Sequence, residues 1–332
     1  MKKIIVLGAT GNVGSYFTKY AREYFSAEEY QIIASGKRPM VRVFDTMNVE
    51  YISVDITKPD EFEKLPKEDV LAVVFLAAVI PAYMDGYHPK EYLDSIIMGT
   101  YNVLEYCRVN NVEKLLYSTS CYDMWEYPSG TIIKPTMPRK FSYTGDHAMY
   151  VISKNTACEI IEHYHQQYGL KTFVFRFPTV YSYSTNHYIY PEGVKTLRPL
   201  YKLIFNAMEG KPLEIWGDPN YAKDMLYVYD MAQMFCLAIE NKDLEKGFYN
   251  CGTGIPVTLR EQMEAIIEVF CPEGKKSDII VLSDKVAGGG ILMDVQNAKD
   301  ELGYEPKYDV VRMFEDFKEE MKYNRFKELR GE

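Results

Sequence analysis

Paired cysteines, long apolar runs and excess positive charge are all missing from this 332-residue sequence. Its six cysteines, Cys107, Cys121, Cys158, Cys236, Cys251 and Cys271, show no short paired spacing of the metal-binding or redox kind. That excludes a CxxC-type motif and leaves free thiols in a reducing compartment as the expected state. No apolar run reaches membrane-spanning length, and "MKKIIVLGATGNVGS" has only four apolar residues before its first glycine, too few for a signal-peptide core. The chain therefore reads as cytoplasmic, with no membrane partner. Its 38 basic and 47 acidic residues give a formal charge of -9. This argues against a nucleic-acid partner held by phosphate neutralisation and still allows a local basic pocket. His163 and His165 stand two apart on a helical stretch and face different sides, so no metal site is expected.

What is present is a regular alternation. "KIIVLGA", "YQIIAS", "VEYISVD", "DVLAVVFLAA", "VEKLLYSTS" and "LKTFVFRF" read as strands. "SYFTKYAREYF", "EYLDSIIMGTYNVLEYCRVN" and the stretch carrying "MYVISKNTAC" read as helices. Strands and helices in this order call for a doubly wound α/β fold of the Rossmann type, a parallel sheet with helices on both faces. Beyond residue 180 glycines, prolines and tyrosines crowd the sequence. Residues 1–180 are therefore expected to form the Rossmann domain, with later sheet elements returning around 223–254. Residues 181–332 are expected to be mostly a smaller, discontinuous substrate lobe interleaved with it. Aromatic residues make up 14% of the chain, mostly tyrosine, and ordinary packing accounts for most of them.

Two motifs carry chemistry. In "IIVLGATGNVGSYF" Gly8, Gly11 and Gly14 lie between a strand and a helix, one residue wider at the first gap than Gly-x-Gly-x-x-Gly. Such a turn brings backbone close to a pyrophosphate at a helix N-terminus. Tyr150 and Lys154, four apart, share one helix face. A second Tyr-x-x-x-Lys occurs at Tyr323 and Lys327 in a charged stretch, so the spacing alone does not single out a proton-transfer pair.

The glycine spacing, Asp55 closing the third strand, "FLAA" ending the fourth, "YSTS" ending the fifth and "YVISK" thirty residues later together resemble the extended short-chain dehydrogenase/reductases. That group contains nucleotide-sugar epimerases and dehydratases. "FRFPTVYS", "AKDMLYVYDMAQ", "GFYNCGTG" and "AKDELGYEPKY" fall in order as further family landmarks. The resemblance implies a catalytic set of Ser120, Tyr150 and Lys154. Tyr150 shuttles the proton, Ser120 hydrogen-bonds the same substrate oxygen, and Lys154 lowers the phenol's pKa and holds the nicotinamide ribose. It implies cofactor contacts from Gly8, Gly11, Asn12, Val13, Gly14, Asp55, Ile56, Leu76, Ala77, Ala78, Ser118, Phe177 and Thr179 as well as from Tyr150 and Lys154. Substrate contacts are implied for Ile80, Tyr122, Tyr181 and Lys223. Asp55 equally suits a helix N-cap, Leu76 to Ala78 suit a sheet edge, and Lys223 suits a solvated loop. Relatives also pair through two helices per subunit, which implies a homodimer.

Departures from the family pattern narrow the reading. Ile96 replaces an asparagine of the fourth helix, and Thr179 and Ser182 stand in the segment where an asparagine grips nucleotide phosphates. Cys121 and Tyr122 follow Ser120 where dehydrating relatives carry an Asp-Glu pair, so no dehydration is expected. Ser35 closes the second strand in place of the acid that rejects a 2'-phosphate, and Lys37 and Arg38 follow it. NADP is therefore expected over NAD, with Arg38 the larger contributor; a solvated basic turn is the alternative. The activity expected is hydride transfer at a hydroxyl or carbonyl carbon of a sugar or nucleotide-sugar. A carbonyl reductase on another substrate and a dinucleotide-sensing regulator are the alternatives.

Overall fold

The protein, described here at residues 1–286 and 290–331 of a computed structural model, is organised by its apolar runs. Seven strands, β1 (Lys2–Leu7), β2 (Tyr30–Gly36), β3 (Glu50–Ser53), β4 (Val70–Phe75), β5 (Lys114–Ser120), β6 (Lys171–Phe177) and β7 (Lys246–Asn250), form one sheet. Their spatial order is β3-β2-β1-β4-β5-β6-β7, with every neighbouring pair parallel. Central strands buried on both faces have no polar side to show, which is why β1 and β4 read as continuous apolar runs, while the edge strands β3 and β7 are only partly buried. Alternate residues serve opposite layers. Ile4 and Val6 of β1 pack on one face with Ile32, Val74 and Phe173, while Ile5 and Leu7 pack on the other with Ile33, Val73 and Leu115.

Helix α1 (Asn12–Tyr24) packs with α4 (Val228–Glu240) on the first face, and α2 (Gly99–Val109) with α3 (Ala148–Tyr168) on the second. The long helix expected from "EYLDSIIMGTYNVLEYCRVN" is divided. A short turn, Pro89–Tyr92, runs into a π-helical segment, Leu93–Met98, before α2 begins. Ile96 is buried in that segment. At the junction Gly99 abuts Ile56, so a Cβ there would meet the Ile56 Cδ1 at 2.9 Å.

Beyond β6 the chain makes small pairs. Val180–Tyr181 runs parallel to Leu226–Tyr227, Ala222–Asp224 antiparallel to Pro256–Thr258, and Leu213–Trp216 parallel to Ile279–Leu282. Helix α5 (Leu259–Phe270) starts at a Thr258/Glu261 capping box, and α6 (Val310–Tyr323) at Asp309, whose carboxylate accepts from the Arg312 amide. The apolar layer around α1 and α4 continues without a break into Phe270, Phe314 and Phe317. The sheet's C-terminal edge and these later segments enclose the site.

Candidate active site

The turn after β1 is shaped by what its glycines lack. Gly8 has φ +92°, and a Cβ on it would lie 2.5 Å from the Ala77 nitrogen; one on Gly14 would lie 2.1 Å from the Gly8 oxygen. Both obstacles are backbone, so neither can give way. Gly11 caps α1 with no side chain accepting from the first-turn amides. The helix therefore presents N–H groups and the positive end of its dipole to the space beyond the sheet, a cradle that fits a dinucleotide pyrophosphate.

That space is a cavity of about 460 Å³. Gly8, Gly11, Asn12, Val13, Gly14, Leu76 and Ala78 line one part of it. Ser118, Ser120, Tyr150, Lys154, Phe177 and Thr179 line it further along, and the four residues with implied substrate contacts, Ile80, Tyr122, Tyr181 and Lys223, also face it. Lys223 lies over the Tyr181 ring, 5.9 Å from its centroid.

Five cofactor residues suggested by sequence stand outside the cavity wall. Ala77 underlies Gly8. Asp55 accepts from the Thr57 amide at 3.0 Å and its hydroxyl at 2.8 Å, the turn-capping arrangement. Ile56 is buried, and its carbonyl accepts from Asn102. Lys37 and Arg38 follow β2. The Arg38 side chain is not the unengaged arm that the sequence suggests: its terminal nitrogens donate to the carbonyls of Glu328 at 3.2 Å and Leu329 at 2.7 Å.

Tyr150, Lys154 and Ser120 come together, and their electrostatics differ from expectation in one respect. Tyr150 is pushed well above the ordinary phenol range by burial, and a hydrogen bond with Ser120 opposes that rise. Lys154 does not supply the opposing charge. Its ammonium donates to the Ser118 carbonyl at 2.7 Å and lies 4.6 Å from the Tyr117 ring centroid. Burial in turn pulls Lys154 down to about 8. Unfolded, the amine keeps its proton to about 10.5. Burying the ammonium thus costs stability in full below pH 8, and the cost disappears as pH rises from about 8 to 10.5, because the unfolded chain then binds the extra proton. Wild type should gain stability relative to Lys154→Met across that window, by about 3 kcal/mol in ligand-free protein. Chemical denaturation of both proteins at pH 7 and pH 10 measures it; a constant difference would contradict the burial assigned to Lys154.

The residues after Ser120 bear on elimination chemistry. Burial pushes the Cys121 thiol and the Tyr122 phenol each up to about 12, so neither replaces a carboxyl pair as acid and base. Sequence reading missed other wall residues. His147 holds Asp146 through its Nδ1 at 2.5 Å and stacks on Tyr122 at 4.2 Å between centroids. Arg198 turns into the cavity with a buried Nη1 that has no partner. Asp224, raised by burial to about 6, accepts from Thr253 and Gly254. Asp224 follows Lys223 in the landmark "AKDMLYVYDMAQ" and His147 caps the helix of Tyr150, so both were within reach of the sequence, whereas Arg198 sits in no such pattern. Tyr323, by contrast, is 67% exposed and ends α6, while Lys327 belongs to the following 3-10 turn, so this pair shares no helix and no cavity.

Comparison with known proteins agrees with this architecture. The sequence profile of the NAD dependent epimerase/dehydratase family matches residues 4–252. A UDP-glucuronate 4-epimerase of Thermodesulfobacterium geofontis is 27% identical, covering 79% of this chain and 76% of that one. Among solved structures, UDP-N-acetylglucosamine 4-epimerase from Bacillus cereus superposes with TM-score 0.76 at 21% identity, covering 97% of this chain and 100% of that one. The Thermus thermophilus UDP-glucose 4-epimerase in complex with NAD gives 0.71 at 22%, covering 95% and 98%. The seven-stranded parallel sheet thus has its counterpart in a known group, and this chain belongs to the NAD-dependent epimerase/dehydratase family of extended short-chain dehydrogenase/reductases.

Proposed function

We propose that the protein interconverts epimers of a nucleotide-sugar by reversible hydride transfer at a hydroxyl-bearing carbon, with Tyr150 as the acid/base. The observation that carries this is one cavity holding the glycine turn, Ser120, Tyr150 and Lys154 together with a far wall of Tyr122, Tyr181 and Lys223. Similar proteins include a UDP-glucuronate 4-epimerase and a UDP-glucose 4-epimerase. When bound, the nicotinamide cofactor supplies the hydride acceptor and donor. The chain supplies the rest. Ser120 holds the substrate oxygen beside the Tyr150 hydroxyl; as phenolate Tyr150 would take the hydroxyl proton while hydride leaves the carbon, and as phenol it would return that proton to the carbonyl oxygen when hydride comes back on the other face. Lys154, fixed on the Ser118 carbonyl, orients the ribose and keeps a proton source behind the phenol. Lys223 and Arg198, both on the cavity wall, offer cations for the substrate's diphosphate. Incubation with UDP-hexoses and UDP-hexuronic acids, read by proton NMR, tests the reading: one epimer should appear from the other. A product formed only with stoichiometric loss of reduced cofactor favours the carbonyl reductase instead.

The cofactor is proposed to be NADP in preference to NAD. Ser35, buried at the end of β2 with its hydroxyl unpartnered, offers no carboxylate to repel a 2'-phosphate, and Lys37 and the remaining N–H donors of Arg38 adjoin it. NADP should bind tighter by about 1.4 kcal/mol or more, tenfold in affinity. Titration with both dinucleotides measures this, and equal or tighter NAD binding rejects the preference. The proteins of known structure in complex with NAD have their own second strands, and their choice is not carried over.

A homodimer of the family kind is proposed as well. Leu93, Met98, Tyr101, Val109 and Tyr168, on or beside α2 and α3, are exposed and apolar, which suits pairing through these two helices. The cytoplasm is the proposed location; six unpaired thiols support it, and no described helix is long and apolar enough to cross a membrane.

A further inference from the structure

After α6 the chain turns back across the sheet edge and ends up against the glycine turn. Phe326 and Leu329 are buried, with Phe326 edge-on to Tyr16 at 4.9 Å. The Glu328 carboxylate accepts from the amides of Arg42 at 2.9 Å and Val43 at 2.7 Å. Arg38 grips the carbonyls of residues 328 and 329. These contacts carry Arg330 to the start of α1. Its Nη1 donates to the Thr10 carbonyl at 3.2 Å, and its Nη2 to the Asn12 Oδ1 at 2.9 Å and the Ser15 hydroxyl at 3.4 Å. Its Nε is buried without a partner.

The charge balance is unusual. Every acceptor of Arg330 is neutral, and among the described residues no carboxylate pairs with it. Burial disfavours its cationic form, Arg38 of like sign adds to that, and the neighbouring phenols of Tyr16, Tyr83 and Tyr201 oppose it. The positive end of the α1 dipole lies alongside. A partly buried guanidinium with no carboxylate partner is stabilised when an anion completes it. Asn12, which receives the Nη2 bond, also lines the cavity as the first residue of α1, so the cation stands one side chain from the place where a phosphate would meet the helix.

We propose that Arg330 is a phosphate ligand of the dinucleotide, delivered by segment 326–330, and that Arg38 is the positioning residue that fastens this segment. The inference rests on the dinucleotide reading of the cavity. It gives the site a residue some 320 positions from the glycine turn, and it gives Arg38 a role other than sole anchor of a 2'-phosphate.

Calorimetric titration of the purified full chain with NAD and with NADP tests it, comparing wild type, Arg330→Gln and Arg330→Lys at low and high sodium chloride. Arg330→Gln should bind at least tenfold more weakly and with a shallower salt dependence, since one charge-to-phosphate contact is gone. Arg330→Lys should recover part of the affinity and the salt slope, and it keeps the test open if the glutamine variant does not fold. A loss shared by NAD and NADP places the guanidinium on the pyrophosphate; a loss for NADP alone places it on the 2'-phosphate. Unchanged affinity in Arg330→Gln, or a loss that lysine does not relieve and salt does not modulate, overturns the inference alone. A wild type that binds neither dinucleotide overturns the proposed function, and this inference with it.

Discussion

Replacing Tyr150 by phenylalanine should lower turnover on the order of a hundredfold or more while leaving cofactor affinity nearly unchanged. The ring stays where it is: Tyr150 is buried on α3 and meets Tyr92 edge-on at 5.9 Å between centroids, contacts that phenylalanine keeps. Only the hydroxyl beside Ser120 is removed, and with it the proton path to the substrate oxygen. Tyr323→Phe is the matching control, because that phenol is solvent-exposed and does not line the cavity. Steady-state rates on the epimerising substrate, with a parallel cofactor titration, measure both. Wild-type turnover in Tyr150→Phe would remove the tyrosine from the reaction.

A larger cost in folding is expected at Arg176. This residue of β6 is 2% exposed, and its guanidinium donates twice to the Asp123 Oδ2, at 3.2 and 3.0 Å, and once to the Asn250 Oδ1 at 3.1 Å. It also lies over the Phe248 ring, 4.7 Å from the centroid. Asp123 sits in the turn directly after Ser120, and burial already raises its carboxyl against the pull of Arg176. Arg176→Met would leave that carboxylate buried and unpaired, which costs about 3–5 kcal/mol. Removing both partners, in Arg176→Met with Asp123→Leu, should cost less than Arg176→Met alone, since the orphaned charge is then gone. Urea unfolding of the three proteins measures the difference. A single variant within 1 kcal/mol of wild type would show that the pair contributes little (about the range of ordinary surface changes).

The sequence was legible where the physics is local. Strands β1 and β4 announced themselves because burial on both faces forces nearly unbroken apolar runs, and the glycine turn because only glycine fits against Ala77 and Gly8. Tyr150 and Lys154 were readable from the motifs that precede them, since their spacing recurs at Tyr323 and Lys327; what escaped notice was that Lys154 spends its hydrogen bond on the Ser118 carbonyl. The engagement of Arg38 was hidden for a similar reason. A basic residue after a strand looks available for a phosphate until a segment 290 positions away claims it. Arg198 and Arg330 come to the site's surroundings through folding of distant segments, and no short pattern encodes that, whereas His147 and Asp224 are sequence neighbours of Tyr150 and Lys223 that were passed over. The helix before Gly99 was read as continuous because its apolar spacing cannot distinguish an α-turn from the wider π-turn found there.

The central claim is that hydride leaves and returns to the same sugar carbon under Tyr150. The most direct measurement follows a UDP-hexose deuterated at the carbon to be inverted, incubated with the cofactor-loaded enzyme. The account predicts an epimer that retains the deuterium, with oxidised and reduced cofactor in constant total and no consumption of the reduced form. Loss of the label to solvent, or product formed in step with oxidation of added reduced cofactor, would contradict it.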